Sequence, residues 1–242
     1  MLSYIKILKK LNKILIIIQR SNGDVFLSSS LIKNLYDYYQ SPQIDILVND
    51  DTKEIAELLP NINFIHTFSY IKKKSNRLKQ EKSIISAIYK KYDLSISLTA
   101  SDRSVIYAFL AGKKSISAIE ADHIKSWWKK ILLTSYYFFD KNKHILLNNL
   151  QPLNLLKIKH LNIQEPLICS SKAILSIKNK LEKKGIKNFL IFHPSAQYSY
   201  KIYPSHLRDQ LLTSLNTLGL SILITGTKNV IDLSIEKQLP NF

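Results

Sequence analysis

The sequence predicts an α/β protein with a Rossmann-like amino-terminal domain and an incomplete second Rossmann-like domain. Three observations predict it. Short β-branched apolar runs alternate with longer amphipathic ones through the first two-thirds of the chain, which is the pattern of right-handed βαβ units around a parallel sheet. The alternation pauses over residues 161–173 and restarts beyond Gly185. What remains is well short of the ~100–150 residues of an ordinary α/β domain.

In chain order, Ile14 to Ile18 is a continuous β-branched run, as expected of a strand covered on both faces. A polar turn at Ser21 to Asp24 leads into a helix over Val25 to Tyr39, with Phe26, Leu27, Leu31, Ile32 and Leu35 near helical spacing. Ile44 to Val48 is the next strand, and Thr52 is placed to cap a helix reaching Leu59. Phe64 to Thr67 is a weaker strand. Lys82 to Lys91 reads as helix, Leu94 to Leu98 as strand, Arg103 to Leu110 as helix and Lys114 to Ile119 as strand. The aromatic-rich stretch Ser126 to Phe139 precedes one longer helix, His144 to Ile158, closing a domain of residues 1–160. Residues 161–184 form a linker and connecting helix, Ala173 to Lys184, with Gly185 at its carboxyl cap. The second domain, 185–242, begins with a strand at Asn188 to Phe192. A helix over Pro204 to Leu218, a strand at Leu220 to Ile224 and a helix over Asn229 to Gln238 follow.

Composition narrows the class. With 45% hydrophobic and 22% charged residues the chain is not broadly disordered. A single cysteine, Cys169, excludes an intramolecular disulfide framework and a cysteine-rich metal site. No apolar stretch reaches the ~18 residues of a membrane-spanning helix. Lys6 to Ile18 imitates a signal peptide, but the run ends at Gln19-Arg20 without a small-residue cleavage site, so the expectation is a cytoplasmic chain. Thirty-five Lys and Arg against 18 Asp and Glu give a net charge of +17, which favours anionic partners. Nucleic acid, acidic lipid and phosphorylated small molecules all qualify. A Lys-rich, Ile-rich and Gly-poor composition accounts for the excess equally well.

Two strand ends carry candidate chemistry. Gly23-Asp24 follows the first strand, where the carboxyl ends of parallel strands face the ligand crevice. Gly23 suits a tight turn, and Ser28 to Ser30 sit where a helix amino terminus favours an anion. Asp24 reads either as a carboxylate placed for chemistry or as the cap of the following helix, and local sequence favours the cap. The second is His193-Pro-Ser-Ala-Gln-Tyr-Ser-Tyr-Lys-Ile-Tyr-Pro204, again leaving a strand. There Ser195 and Lys201 suit phosphate, with Lys201 a compact charge for a departing diphosphate or else a solvated loop lysine. Thr225-Gly226, ending the next strand, either offers an amide to a nucleotide or is an ordinary turn.

The run Lys72, Lys73, Lys74, Arg77, Lys79 and Lys82 reads as a lipid-facing patch or a solvated, mobile loop. Trp127-Trp128 and Tyr136 to Phe139 read as an interfacial surface or, for most rings, as core. There is no G-x-G-x-x-G, no G-x-x-x-x-G-K-[ST], no G-x-S-x-G and no H-E-x-x-H, and the six histidines lack paired ligand spacing. Without an aromatic RNA-binding signature, nucleic acid rests on charge alone.

These residues resemble glycosyltransferase family 9, the lipopolysaccharide heptosyltransferases, and most closely the core heptosyltransferase III branch. Gly23-Asp-Val-Phe-Leu-Ser-Ser-Ser-Leu-Ile32 is similar to the family's G-D-V-L-L-T-T-P-L-I. The match continues through Ile44 to Val48, Tyr92 to Thr99 with Asp102-Arg103-Ser104, and His144 with Asn149-Leu150. His193-Pro194, Lys201 and Pro204 follow H-P-G-x-R-W-x-x-K-x-W-P in order and spacing. Ser30 replaces the usual Pro, Gln197 the usual Arg, and Tyr198 and Tyr203 the usual tryptophans. The family's late D-x-G-x-x-H is not found.

The resemblance implies a GT-B-like, inverting, metal-independent heptosyltransferase with no cofactor beyond its donor substrate, ADP-heptose. The acceptor, lipopolysaccharide inner core, would lie on the amino-terminal side at the cytoplasmic membrane face. Asp24 matches the proposed general base, which raises that reading above the cap. Ser195, Lys201, Thr225 and Gly226 fall on the donor side, and Gly23, Ser28, Ser29 and Arg103 on the acceptor-side loops. The missing late motif implies truncation, a half-built donor domain and uncovered apolar sheet surface. It also keeps open a non-catalytic remnant that binds anionic lipid or core sugar.

Overall fold

Parallel strands order themselves by what each face can bury. In the computed structural model, which describes residues 11–121, 126–159, 169–196 and 199–226, the chain divides into two units, Met1–Ile168 and Cys169–Phe242. Among the described residues the first unit holds six strands: β1 (Lys13–Ile18), β2 (Gln43–Asn49), β3 (Phe64–Phe68), β4 (Tyr92–Ser97), β5 (Gly112–Ile119) and β6 (Ser135–Phe138). They pair in the order β3-β2-β1-β4-β5-β6, every pair parallel. The order reverses beside β1, the arrangement of a Rossmann-like sheet with its switch point there.

The alternation of side chains along β1 builds two cores. Ile14, Ile16 and Ile18 join Ile44, Ile46, Val48, Leu94 and Ile96 on one face. That face is covered by Val25 of α1 (Asn22–Phe26), Leu31, Ile32 and Leu35 of α2 (Ser29–Tyr38) and Ala56 of α3 (Lys53–Ala56). Leu15, Ile17 and Leu47 face the other way. Ile84 and Ile88 of α5 (Arg77–Ile88) cover them, with Tyr107, Ala108 and Ala111 of α6 (Asp102–Ala111). All five isoleucine and leucine side chains of β1 are fully buried, each stabilising the sheet by about 1.5–3 kcal/mol.

Several elements depart from the sequence reading. The helix expected over Val25 to Tyr39 starts earlier, at Asn22, and breaks at Leu27-Ser28. Thr52 caps nothing with its side chain. Its hydroxyl donates to Asn49 O at 3.0 Å inside a 3-10 turn, and the helix that follows covers only Lys53–Ala56. The basic stretch is helical, α4 (Tyr70–Ser75) then α5, because Ser69 caps α4 and Lys and Arg are good helix formers. Within the aromatic-rich stretch lie α7 (Trp127–Leu132) and β6; Trp127 is exposed while Tyr137 is buried. The single helix expected over His144 to Ile158 is two, α8 (Ile145–Asn149) and α9 (Gln151–Leu155), since Pro152 has no amide hydrogen to continue the first.

In the second unit α10 (Ser171–Lys183) ends at Gly185, whose φ of +66° is the left-handed cap conformation. β7 (Phe189–Phe192) and β8 (Ser221–Ile224) pair in parallel, with α11 (Ser205–Asn216) between them in sequence. Leu212 and Ile222 form its buried centre. Ile191 in β7 is 67% exposed. The helix expected over Asn229 to Gln238 lies outside the described residues.

Candidate active site

All six strands of the first unit deliver their carboxyl ends to one edge. There Gln19-Arg20-Ser21 leaves β1 and turns straight into α1. Ser21, with extended backbone, occupies the amino-cap position, so Asp24 lies three residues inside the helix and does not cap it. Its carboxylate is held from behind. Oδ2 accepts from Arg20 Nε at 2.9 Å and from Ser21 Oγ at 3.0 Å, and the side chain is only 17% exposed. Arg20 in turn lies 4.9 Å from the Phe139 ring centroid, a second fixture for its guanidinium. Asn149, at the end of α8, donates to the Asp24 backbone oxygen at 3.5 Å.

The neighbouring residues divide by role. Gly23 sits in the helical turn of α1, and a Cβ there would meet nothing within 4 Å. The fold does not require glycine at that point, contrary to the tight turn expected, and Gly23 leaves open space one residue before Asp24. Ser28 and Ser29 are buried. The Ser28 hydroxyl donates to Val25 O at 2.6 Å, which holds the break between α1 and α2. The donor of that hydroxyl is thus spent on the scaffold.

Arg103, in the first turn of α6, reaches the same edge. Its Nε donates to Gln19 Oε1 at 3.3 Å and its Nη2 to Tyr70 Oη at 3.1 Å. Its guanidinium stacks 3.7 Å from the centroid of Phe68. Gln19 Oε1 also accepts from Ser104 Oγ at 2.9 Å, which fixes the orientation of the amide and leaves Gln19 Nε2 buried with no hydrogen bond among the described residues. Asn49 Oδ1, at the end of β2, and Asn149 Oδ1 are in the same condition. A buried polar atom left unpaired costs about 1–3 kcal/mol, and native proteins keep few of them.

The second unit repeats the geometry at its own strand ends. Thr225 N donates to Phe192 O at 2.9 Å, and His193 Nδ1 lies 3.1 Å from Thr225 Oγ1. The loops after β7 and β8 therefore meet, with Ser195 half-buried on the first, and Thr225 and Gly226 exposed on the other. Lys201 ends a 3-10 turn, Ser199–Lys201, with its ammonium exposed and 5.7 Å from the Tyr200 ring. The candidate residues thus form two groups, Gly23, Asp24, Ser28, Ser29 and Arg103 in the first unit, and Ser195, Lys201, Thr225 and Gly226 in the second.

Sequence reasoning missed Arg20, Ser21 and Gln19. The Arg20-x-x-x-Asp24 spacing is the signal of a one-turn ion pair, but it becomes visible only once the helix is started at Asn22. Gln19 gave no signal, because its partners Thr99, Arg103 and Ser104 lie about eighty residues away in sequence.

No family model matches the chain. Among curated proteins it is 23% identical over 226 residues to lipopolysaccharide heptosyltransferase 3 of Escherichia coli K12, and 21% identical to a second Escherichia coli protein of that name. The chain spans 64% and 65% of the length of these relatives, which cover 91% of it. Among solved structures it is similar to a family 9 glycosyl transferase from Veillonella parvula, with a TM-score of 0.77 and 16% identity over 94% of this chain and 65% of that one. It is also similar to Escherichia coli heptosyltransferase WaaC solved with ADP, with a TM-score of 0.68 and 14% identity over 93% of this chain and 71% of that one. These likenesses establish the GT-B-like α/β fold class.

Proposed function

We propose that this chain is a glycosyltransferase of family 9 that transfers heptose from ADP-heptose to lipopolysaccharide inner core by a single inverting displacement without a metal. The observation that carries this reading is the Asp24 carboxylate at the carboxyl end of β1. Both of its hydrogen bonds arrive at Oδ2, and among the described residues Oδ1 accepts none. A carboxylate anchored through one oxygen can offer the other to a sugar hydroxyl as a general base.

In the proposed step, Asp24 takes the proton of the acceptor hydroxyl as that oxygen forms its bond to the anomeric carbon of heptose. The bond from that carbon to the diphosphate breaks, and ADP departs with the electron pair. Lys201 supplies positive charge to the departing diphosphate, as its position in the matched motif suggests. Thr225, Gly226 and Ser195 would contact the nucleotide, and Arg103 an anionic group of the acceptor. The matched relatives are named for lipopolysaccharide heptosyl transfer, which supports the substrate class. No helix among the described residues is long and apolar enough to cross a membrane. A cytoplasmic protein working at the inner membrane face fits a lipid-linked acceptor.

The test is release of ADP and mass gain of one heptose on the acceptor when the chain is incubated with ADP-heptose and a heptose-containing core oligosaccharide. A second reading, acceptor binding without transfer, has support in the small buried centre of the second unit, Leu212 and Ile222 among the described residues. Calorimetric titration separates the two, since acceptor binding with no ADP binding supports the second and overturns the first.

A further inference from the structure

We infer that the segment Tyr70 to Lys79 is a membrane-docking element that lays a basic and apolar surface on an anionic phospholipid bilayer. It rests on four observations independent of Asp24. Five of its ten residues are Lys or Arg and none is acidic. Its two aliphatic side chains are turned out to solvent, Ile71 80% exposed and Leu78 84% exposed, and Tyr70 beside them is 45% exposed. Nothing in the core explains that choice, since α5 fills its side of the sheet with Ile84 and Ile88 further along.

The segment is also pinned at its base. Gln80 closes it by accepting from Ser69 N at 2.8 Å and donating to Ser69 O at 3.0 Å. Ser69 Oγ caps α4 by accepting from Lys72 N at 3.3 Å, and Arg103 holds Tyr70 by its hydroxyl. An excursion that serves only as a connection has no need of such a clamp. Held this way, α4 and the first turn of α5 carry exposed Lys72, Lys73, Arg77 and Lys79 together with exposed Ile71 and Leu78. The adjacent acid, Glu81, accepts from the Tyr107 hydroxyl and offsets only one of the segment's five positive charges.

Charge complementarity chooses the occupant. Lysines attract an anionic surface, while exposed aliphatic side chains gain only where hydrocarbon receives them, which a bilayer offers and a free phosphate does not. The segment leaves the carboxyl end of β3, at the same edge of the sheet as Asp24, so docking there would bring that edge to the bilayer. This last consequence rests on the transfer reading; the docking itself does not.

The test is co-sedimentation of the full chain with phosphatidylcholine vesicles, either pure or with one-third phosphatidylglycerol. Binding is expected only to the anionic vesicles. The double variant Lys72→Glu with Lys79→Glu should weaken it at least twentyfold, given roughly fivefold per basic residue near the surface. Ile71→Ser with Leu78→Ser should weaken it about tenfold or more, with little change in its salt dependence. Lys178→Glu with Lys184→Glu, the same charge change on exposed second-unit positions, should leave it within about twofold, as docking through residues 70–79 requires. Equal binding to both vesicle types overturns the inference without any variant. So does an equal loss in the second-unit variant, full competition by soluble glycerophosphoglycerol, or tight binding to an oligonucleotide with none to vesicles. A chain that transfers heptose but ignores vesicles sinks the docking element alone, and one that docks without transferring sinks the transfer reading alone.

Discussion

Asp24→Asn separates chemistry from stability. The substitution keeps shape and an acceptor oxygen for Arg20 and Ser21, and removes only the negative charge. What that charge does for folding can be read from its surroundings. The Arg20 partner is one turn away and 32% exposed, so water and the Phe139 ring still stabilise its guanidinium once the counter-ion is gone. A partly exposed pair of this kind contributes about 0.3–1 kcal/mol, and weakening two hydrogen bonds to a charged oxygen adds about 0.5–1 kcal/mol. For a protein of this size ~1–2 kcal/mol lowers the melting temperature by about 2–8 °C. Both tryptophans, Trp127 and Trp128, lie in the first unit, so their fluorescence follows the unfolding of the part that carries Asp24. Catalysis should respond on another scale, because losing a general base costs about 10²–10⁴ in kcat while the KM for acceptor changes little. Coupled-enzyme detection of ADP release measures it. A variant with near-parental kcat, or one whose rate falls only as far as its folded fraction does, would falsify the assignment.

Lys201→Ala should raise the KM for ADP-heptose and weaken ADP binding by about 10- to 150-fold, read by calorimetry, since one charge-assisted contact is worth about 1.5–3 kcal/mol. Gly112→Ala should destabilise the first unit by about 1–3 kcal/mol or more, because the added Cβ would stand 2.5 Å from Lys114 O and from Ser95 Oγ; denaturant titration checks it. Tyr92→Phe removes a 2.7 Å hydrogen bond to Asp45, a carboxylate only 5% exposed, and should cost about 1.5–3 kcal/mol. Burial lowers the pKa of His66 below its ordinary 6.5, with Lys91 adding to the effect and Asp45 opposing it. The unfolded chain therefore binds this proton more tightly, and His66 contributes stability above pH 6.5 that is lost as pH falls from there through its folded value. His66→Asn should flatten the loss of stability over that window in acid titrations.

Most of the sheet was legible because fully buried parallel strands declare themselves as unbroken β-branched runs, as at Ile14 to Ile18. β6 was not, since Ser-Tyr-Tyr-Phe lacks that signature and is a strand only through pairing with Ile116 to Ile119. Helix breaks were the other gap. The one at Leu27-Ser28 depends on a side chain returning to its own backbone, which spacing does not reveal, whereas Pro152 was a visible signal that a helical run had to stop. At the candidate site, sequence reached Asp24 and Arg103 but not what holds them. Asp24 is steadied by Asn149 from 125 residues away and Arg103 by Gln19 from 84 residues away, and contacts of that range are set by topology.

The same topology sorts the polar interior by what is left unpaired. At the amino ends of β1 to β4, Lys13, Gln43, Asp45, Asn63, His66, Lys91 and Tyr92 line a shallow cavity of about 270 Å³. Its buried carboxylate is well supplied, with Tyr92 Oη at 2.7 Å from Oδ2 and Asn63 Nδ2 at 3.0 Å from Oδ1, while His66 Nε2 lies 3.0 Å from Tyr92 Oη. A network satisfied in this way rigidifies the end of a sheet and has little capacity to spare. The carboxyl end is different. There Gln19 Nε2, Asn49 Oδ1 and Asn149 Oδ1 are buried without partners among the described residues, around the strand end that bears Asp24. Among the described residues the spare buried hydrogen-bonding capacity of the sheet therefore lies at the end that bears Asp24.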